Sequence, residues 1–261
     1  MIRTDSLSAG CEGTTEERFM EHSTCATDSG SMRERNEDAL LCMPEQHIYM
    51  VADGVGGHNA GDKASDMAVQ TLRQRILETP PNLCDDEDRL MDYFLELLNE
   101  VNDRIAKSGE ERADQAGMAT TAVILYLCRE RAYVINVGDS RAYLYRDRQL
   151  RQITEDHTFV NELIKNGAIT KEEAELHPKR NMITRALGGE KKLQPDFYRF
   201  DVFSGDRLLL CTDGLYNELT EEEIRDVFET TSSTEAMSEQ LVRRANENGG
   251  SDNITVVCVA V

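Results

Sequence analysis

The sequence predicts an α+β fold, a sandwich of antiparallel β-sheets covered by helices. Strand-like runs stand at both ends and in the middle of the chain, while helical segments come in grouped pairs instead of alternating singly with strands. The chain has 261 residues, 39% of them hydrophobic, enough for one substantial core and too few to require two ordinary domains.

Residues 1–22 are polar and lack clear periodicity, so they read as a loosely ordered N-terminal extension before a single domain over 23–261. HIYMVADG reads as a strand ending in a Gly-rich turn. DKASDMAVQTLRQRIL then places Ala64, Met67, Ala68, Thr71, Leu72 and Ile76 on one helical face. Two prolines and an acidic run in PPNLCDDEDR interrupt the pattern, which RLMDYFLELLNEVNDRIAKSG resumes as far as Gly109, predicting two long antiparallel helices. TAVILYLCR and RAYVINVGDSRAYLYRDRQLRQIT read as neighbouring antiparallel strands, with turns at Gly138-Asp139 and around Asp147. The stretch 156–187 looks inserted. It holds a short helix closed by Gly167 and a capping-box pattern at Thr170 and Glu173. The strand pair DFYRFDVF and DRLLLCTDG follows, then one helix capped by Thr220 and Glu223, another around Glu235 to Asn246, and a closing strand, NITVVCVAV.

Lys and Arg total 29 against 49 Asp and Glu, a net charge of −20 that repels nucleic acid and anionic membrane. Converging in a cleft, such acidity suits the oxygen-loving cations Mg²⁺ and Mn²⁺. The seven cysteines are odd in number, scattered and never C-x-x-C, so they read as reduced thiols, with neither a zinc site nor a disulfide expected. No signal-peptide core or membrane-length apolar run is present, and a soluble cytoplasmic protein is expected.

Four aspartates follow or precede apolar strands among Gly, Ser or Asn: Asp53 in MVADGVGGH, Asp139 in VINVGDSR, Asp213 in LLLCTDGL and Asp252 in GGSDNITVV. Strand ends are rigid mounts for ligands. A fifth cluster, TDSGSMRERNED, adds Glu37 and Asp38, with Arg33 four residues before Glu37. Two cations a few Å apart polarise a phosphate and generate hydroxide near neutral pH, while a guanidinium grips the phosphate oxygens. Asp-Gly after a strand is ordinarily a turn, and Asp139 also reads as a hairpin-turn residue. The recurrence of the pattern is what points to a site.

From about Ser23 to Val261 the sequence resembles the metal-dependent protein phosphatases of type 2C, in their compact bacterial branch. The motifs occur in order: D-S-G-S-M-R-E-R-N-E-D at 28–38, V-A-D-G-V-G-G-H at 51–58, G-D-S-R-A-Y at 138–143, T-E-D-H-T at 154–158, N-M-I-T-R-A-L-G at 181–188, T-D-G-L at 212–215 and G-S-D-N-I-T at 250–255. The resemblance implies a central β-sandwich flanked by pairs of antiparallel helices, with metals in a channel at one end. It implies two Mn²⁺ or Mg²⁺ ions and a weaker third. Asp53 would bridge two ions, Gly54 would offer its carbonyl, Asp213 and Asp252 would complete the first ion, and Glu37 and Asp38 would serve the second. Asp139, sharing Asp213, would hold the third ion, and Arg33 would bind the substrate phosphate. Residues 156–187 correspond to the family's flap.

The activity implied is hydrolysis of phosphoserine and phosphothreonine on proteins, through in-line attack by a metal-bridging hydroxide. The partners implied are phosphoproteins, those of a cognate serine/threonine kinase, in signal transduction. Some members carry a histidine directly after the Asp-Gly pair, where Val55 stands here; His58 is close by, and His157 reads as structural. Two other readings stay open: a phosphatase-like binding module without metals, and a two-metal nuclease or small-molecule phosphatase. A tyrosine-phosphatase loop from Cys84 to Arg89 is excluded by its acidic interior, Asp85 to Asp88.

Overall fold

The computed structural model describes residues 3–7, 21–56, 60–189 and 192–261, with the backbone alone for 3–7. One sheet runs, in spatial order, β1 (Arg3–Leu7), β2 (His22–Asp28), β12 (Ile254–Ala260), β11 (Arg207–Cys211), β8 (Arg141–Arg146) and β9 (Gln149–Gln152). The other runs β10 (Asp196–Asp201), β7 (Arg131–Val137), β6 (Ala122–Cys128), β4 (Ile48–Val55) and β3 (Asp38–Met43), with the short β5 (Ala119–Thr120) beside β4. The pairings are antiparallel.

The sheets stack face to face. Val123 and Leu125 of β6, Tyr49 and Val51 of β4, Leu208 and Leu210 of β11 and Val257 and Val259 of β12 share the core between them. Alternate residues of the same strands face outward and are buried again. Ile124 and Tyr126 pack with Met50 under α1 (Gly61–Glu78) and α2 (Glu87–Glu111). Leu209, Val256 and Cys258 pack under α5 (Asp213–Tyr216), α6 (Glu221–Thr230) and α7 (Thr234–Asn248). Burial of both faces explains why AVILYLC is apolar without a break, each residue being needed by one of two cores.

Local signals match their elements. Asp86, Thr158, Thr170, Thr220 and Ser233 cap helices with their side chains, and Thr170–Glu173 and Thr220–Glu223 are complete capping boxes. The inserted stretch forms α3 (Phe159–Lys165) and α4 (Lys171–Glu175), tied back through bridges Thr158 to Ile183 and Thr120 to Leu187. Among the described residues, no helix is long and apolar enough to cross a membrane.

Three expectations need correction. The strands on either side of Gly138-Asp139, read as antiparallel neighbours, and the strands DFYRFDVF and DRLLLCTDG, read as a pair, are split between the sheets: β7 and β10 lie in one and β8 and β11 in the other, so both connections cross the sandwich, which alternation within each strand does not reveal. Arg3–Leu7, read as part of a loose extension, pairs antiparallel with β2; backbone hydrogen bonds satisfy a sheet edge whatever the side-chain pattern, so no periodicity announces the strand. Residues 8–20 of that extension lie outside the described residues. Cys84 and Cys128, read as reduced thiols, form a disulfide across 44 positions of sequence. The α1–α2 linker passes over the end of β6, a proximity that spacing alone does not reveal.

Ile124 is fully buried between the sheet and the helix pair. Ile124→Ala should lower stability by about 2–5 kcal/mol in urea unfolding, whereas Met91→Ala on the exposed side of α2 should change it by less than about 0.5 kcal/mol. Equal effects would mean that this layer is not close-packed.

Candidate metal and phosphate site

The acidic candidates gather at one end of the sandwich because antiparallel neighbours bring their strand ends together. Asp53, near the end of β4, stands directly opposite Asp38 at the start of β3. Asp213 opens α5 two residues beyond β11, and Asp252 lies two residues before β12, the strand paired with β11. Asp139 occupies the turn between β7 and β8.

Each mount is fixed by hydrogen bonds. The Asp53 amide donates to Thr121 Oγ1 at 2.9 Å, and its carbonyl accepts from the Thr121 amide and Thr120 Oγ1, both at 2.9 Å. Thr121 Oγ1 also meets Ser140 Oγ at 2.7 Å, connecting the Asp53 strand to the Asp139 turn. The Gly54 amide donates to the Glu37 carbonyl at 3.1 Å, which also accepts from Ser65 Oγ at 2.6 Å. Gly54 and Gly61 approach so closely that a Cβ on either would strike the other's carbonyl, and α1 therefore starts pressed against β4.

In the loop carrying Arg33, Glu37 and Asp38, one side chain makes three of the contacts to its backbone. Asn253 accepts from the Glu37 amide through Oδ1 at 2.7 Å and donates through Nδ2 to the carbonyls of Ser29 at 2.9 Å and Arg35 at 2.8 Å. Arg33 donates to Asp252 Oδ2 at 2.8 Å, so the guanidinium lies at the edge of the acidic group. Asp38 Oδ2 accepts from Thr212 Oγ1 at 2.8 Å.

Crowding raises the proton affinity of these carboxyls. Burial, reinforced by Asp38, Asp213, Asp139 and Asp252, lifts Asp53 well above the usual carboxylate range. Burial pushes Asp38 up to about 7 against the hydrogen bonds of Thr255 and Thr212. Burial and then Asp213 raise Asp139 to about 7, and burial and then Asp252 raise Asp213 to about 6. Glu37 is raised by burial and next by Asp62. Such a cluster is relieved by multivalent positive charge. Asp213 makes the same point, since its Oδ2 accepts from Asn217 Nδ2 at 3.0 Å while its buried Oδ1 has no hydrogen-bond partner. The donors are all oxygen, which suits hard divalent cations. Among the described residues, no three His, Cys, Asp or Glu side chains already enclose a common point. Like charges hold one another apart, and cations that keep several waters need only one or two protein carboxylates each.

His58 lies outside the described residues. His157 is buried; its Nδ1 accepts from the Gly138 amide at 3.1 Å, which leaves Nε2 to donate to Asp196 Oδ2 at 3.2 Å, and burial lowers its proton affinity. This fits the structural reading. Several contributors escaped sequence reasoning. Asp62 sits in the first turn of α1 beside Glu37, where only its place at a helix start hints at a role. Asp156 binds Arg141 through both oxygens and raises Asp139, and the Tyr216 hydroxyl donates to the Asp139 carbonyl at 2.9 Å.

The Protein phosphatase 2C family model matches residues 31–248. The serine/threonine phosphatase stp of Listeria welshimeri is 40% identical over 241 residues, covering 91% of this chain and 95% of that protein. The crystal structure of the Mycobacterium tuberculosis serine/threonine phosphatase PstP/Ppp superposes with a TM-score of 0.83 at 34% identity, covering 92% of this chain and 98% of that one. A PstP catalytic domain in complex with two manganese ions superposes with a TM-score of 0.80 at 32% identity, covering 92% and 97%. Fold and relatives define a phosphoprotein hydrolase of a metal-dependent class. The chain belongs to the type 2C protein phosphatase family, and is a protein serine/threonine phosphatase of bacterial type.

The raised carboxyls set a pH dependence. Their folded proton affinity exceeds the unfolded one, so the metal-free fold binds extra protons between about pH 4 and pH 7 and loses stability as pH rises through that window. His157, favoured neutral, acts in the opposite direction as a single group. In chelator, the melting temperature should fall between pH 5.5 and 7.5, less steeply in Asp53→Asn, and Mn²⁺ should restore it. A flat profile shared by both proteins would contradict the crowding.

Proposed function

We propose that Asp53, Asp213, Asp252, Glu37 and Asp38, with the Gly54 carbonyl, hold two Mn²⁺ or Mg²⁺ ions, and that Asp139 and Asp213 hold a weaker third. When bound, these ions supply Lewis acidity and a hydroxide nucleophile for in-line attack on phosphorus. Asp53, crowded by Asp38, Asp213, Asp139 and Asp252, would be the central ligand of this group. Arg33 neutralises and orients the phosphate oxygens, and the same guanidinium already reaches Asp252. Val55 carries no titratable group and His157 is occupied by its own hydrogen bonds, so neither serves the leaving alkoxide.

The observation that carries this reading is the unpartnered buried Oδ1 of Asp213 within a crowd of carboxylates. The substrates proposed are cytoplasmic proteins phosphorylated by a cognate serine/threonine kinase, in signal transduction. Residues 156–187 act as a flap that tunes substrate choice, as does the N-terminal extension, without carrying chemistry.

Asp213→Ala and Asp53→Ala should each abolish Mn²⁺-dependent hydrolysis of p-nitrophenyl phosphate and of a phosphothreonine peptide. Arg33→Ala should mainly raise KM, by about 10–100-fold, the worth of a charge-assisted hydrogen bond. Full turnover in Asp213→Ala would sink the metal assignment.

A further inference from the structure

The end of the sandwich remote from the carboxylates holds a different reactive group. Cys84 lies in the linker between α1 and α2, Cys128 is the last residue of β6, and the two form a disulfide with Cα atoms 5.8 Å apart. In the β4–β6 pairing Tyr126 stands opposite Ile48, so Cys128 is at the far end of the strand pair from Asp53. Both cysteines line a cavity of about 1080 Å³, shared with His47, Pro80, Pro81, Arg129, Arg131 and Phe203. Cys84 is half-buried, so the bond is approachable from that cavity.

Among the other described thiols, Cys42 is half-buried beside Ser23 Oγ at 3.6 Å, and the remaining three differ in kind. Cys25, Cys211 and Cys258 are buried within the sandwich layers, and burial pushes the Cys258 thiol up to about 12 and Cys211 higher still, leaving both unreactive. The disulfide is also not the linker's sole anchor. Tyr126 Oη donates to the Pro81 carbonyl at 2.5 Å, and Arg129 grips Asp85 through both carboxylate oxygens at 2.5 and 3.0 Å. Opening the bond therefore loosens the helix-pair tip without detaching it.

We propose that Cys84–Cys128 is a reversible thiol–disulfide site, reduced by a dithiol entering this cavity. The inference rests on the cytoplasmic location proposed above, where thiol pools keep most cysteines reduced and protein disulfides are transient and redox-responsive. In the exchange, one thiolate of the reductant attacks a cystine sulphur and breaks the S–S bond. Its second thiol then displaces the mixed disulfide and leaves as a cyclic disulfide. Two electrons pass to the cystine, and two protons end on Cys84 and Cys128. Reoxidation is the reverse, with the oxidised dithiol as electron acceptor. The modification acts on the tip of a helix pair whose α1 begins against Gly54 and Glu37, so it stiffens or frees a layer that abuts the carboxylates.

The full chain is equilibrated in a series of reduced and oxidised dithiothreitol under native conditions, then alkylated and digested for mass spectrometry. Cys84 and Cys128 should gain label together as the series becomes reducing, while Cys211 and Cys258 stay unlabelled. The melting temperature should fall by about 5–10 °C over the same range. Cys84→Ser should lack the thermal change, and Cys128→Ala reports the same if Cys84→Ser fails to fold. A pair labelled even in the oxidised buffer, or one that resists excess dithiol in the folded protein, overturns the proposal. None of these readouts uses hydrolysis, so the proposed metal assignment stands or falls separately.

Discussion

The structure depends on holding like charges together. Asp38, Asp53, Asp139, Asp213 and Asp252 repel one another and resist burial, yet four strands and one turn deliver them to the same end of the sandwich. A loop-borne cluster would spread apart. Here separation is opposed by two cores at once, since the strands bearing Asp53 and Asp213 are buried on both faces, between the sheets and beneath the helices. Hydrophobic burial, proportional to area and indifferent to direction, thus maintains a charged arrangement that no local interaction would favour.

Polar contacts then refine what burial enforces. Thr120, Thr121 and Ser140 connect the Asp53 strand to the Asp139 turn, and Thr212 ties the Asp38 carboxyl to the segment before Asp213. These groups are small hydroxyls buried among carboxylates, where they donate without adding charge. Cations could not replace them. A lysine at any such position would neutralise the acidity that suits the site to divalent metals.

Much of this was legible in the sequence. Strand-end aspartates were visible because apolar runs stop abruptly at D-G, G-D and S-D, and capped helices because Thr170, Glu173, Thr220 and Glu223 keep fixed spacings. The long helix pair was visible through its periodic apolar face. What stayed hidden was proximity between segments with no pattern of their own. Asp62 looks like any helix-start acid, Asn253 like any turn residue, and Cys84 and Cys128 like two isolated small hydrophobes. β1 was hidden for a related reason, because an edge strand is recruited by exposed backbone of β2 and needs no side-chain code.

Asn253 engages its amide oxygen and both of its N–H donors, each with a different residue. The position therefore discriminates by chemistry and not by volume. Aspartate, which has the same shape, would set one carboxylate oxygen against the carbonyls of Ser29 and Arg35 and add a charge beside Glu37 and Asp252. Alanine would remove the three contacts at this buried position but would bring in neither a charge nor an opposing oxygen. At this position the most conservative-looking exchange is the most damaging one, and similarity of outline is a poor guide to what the loop tolerates.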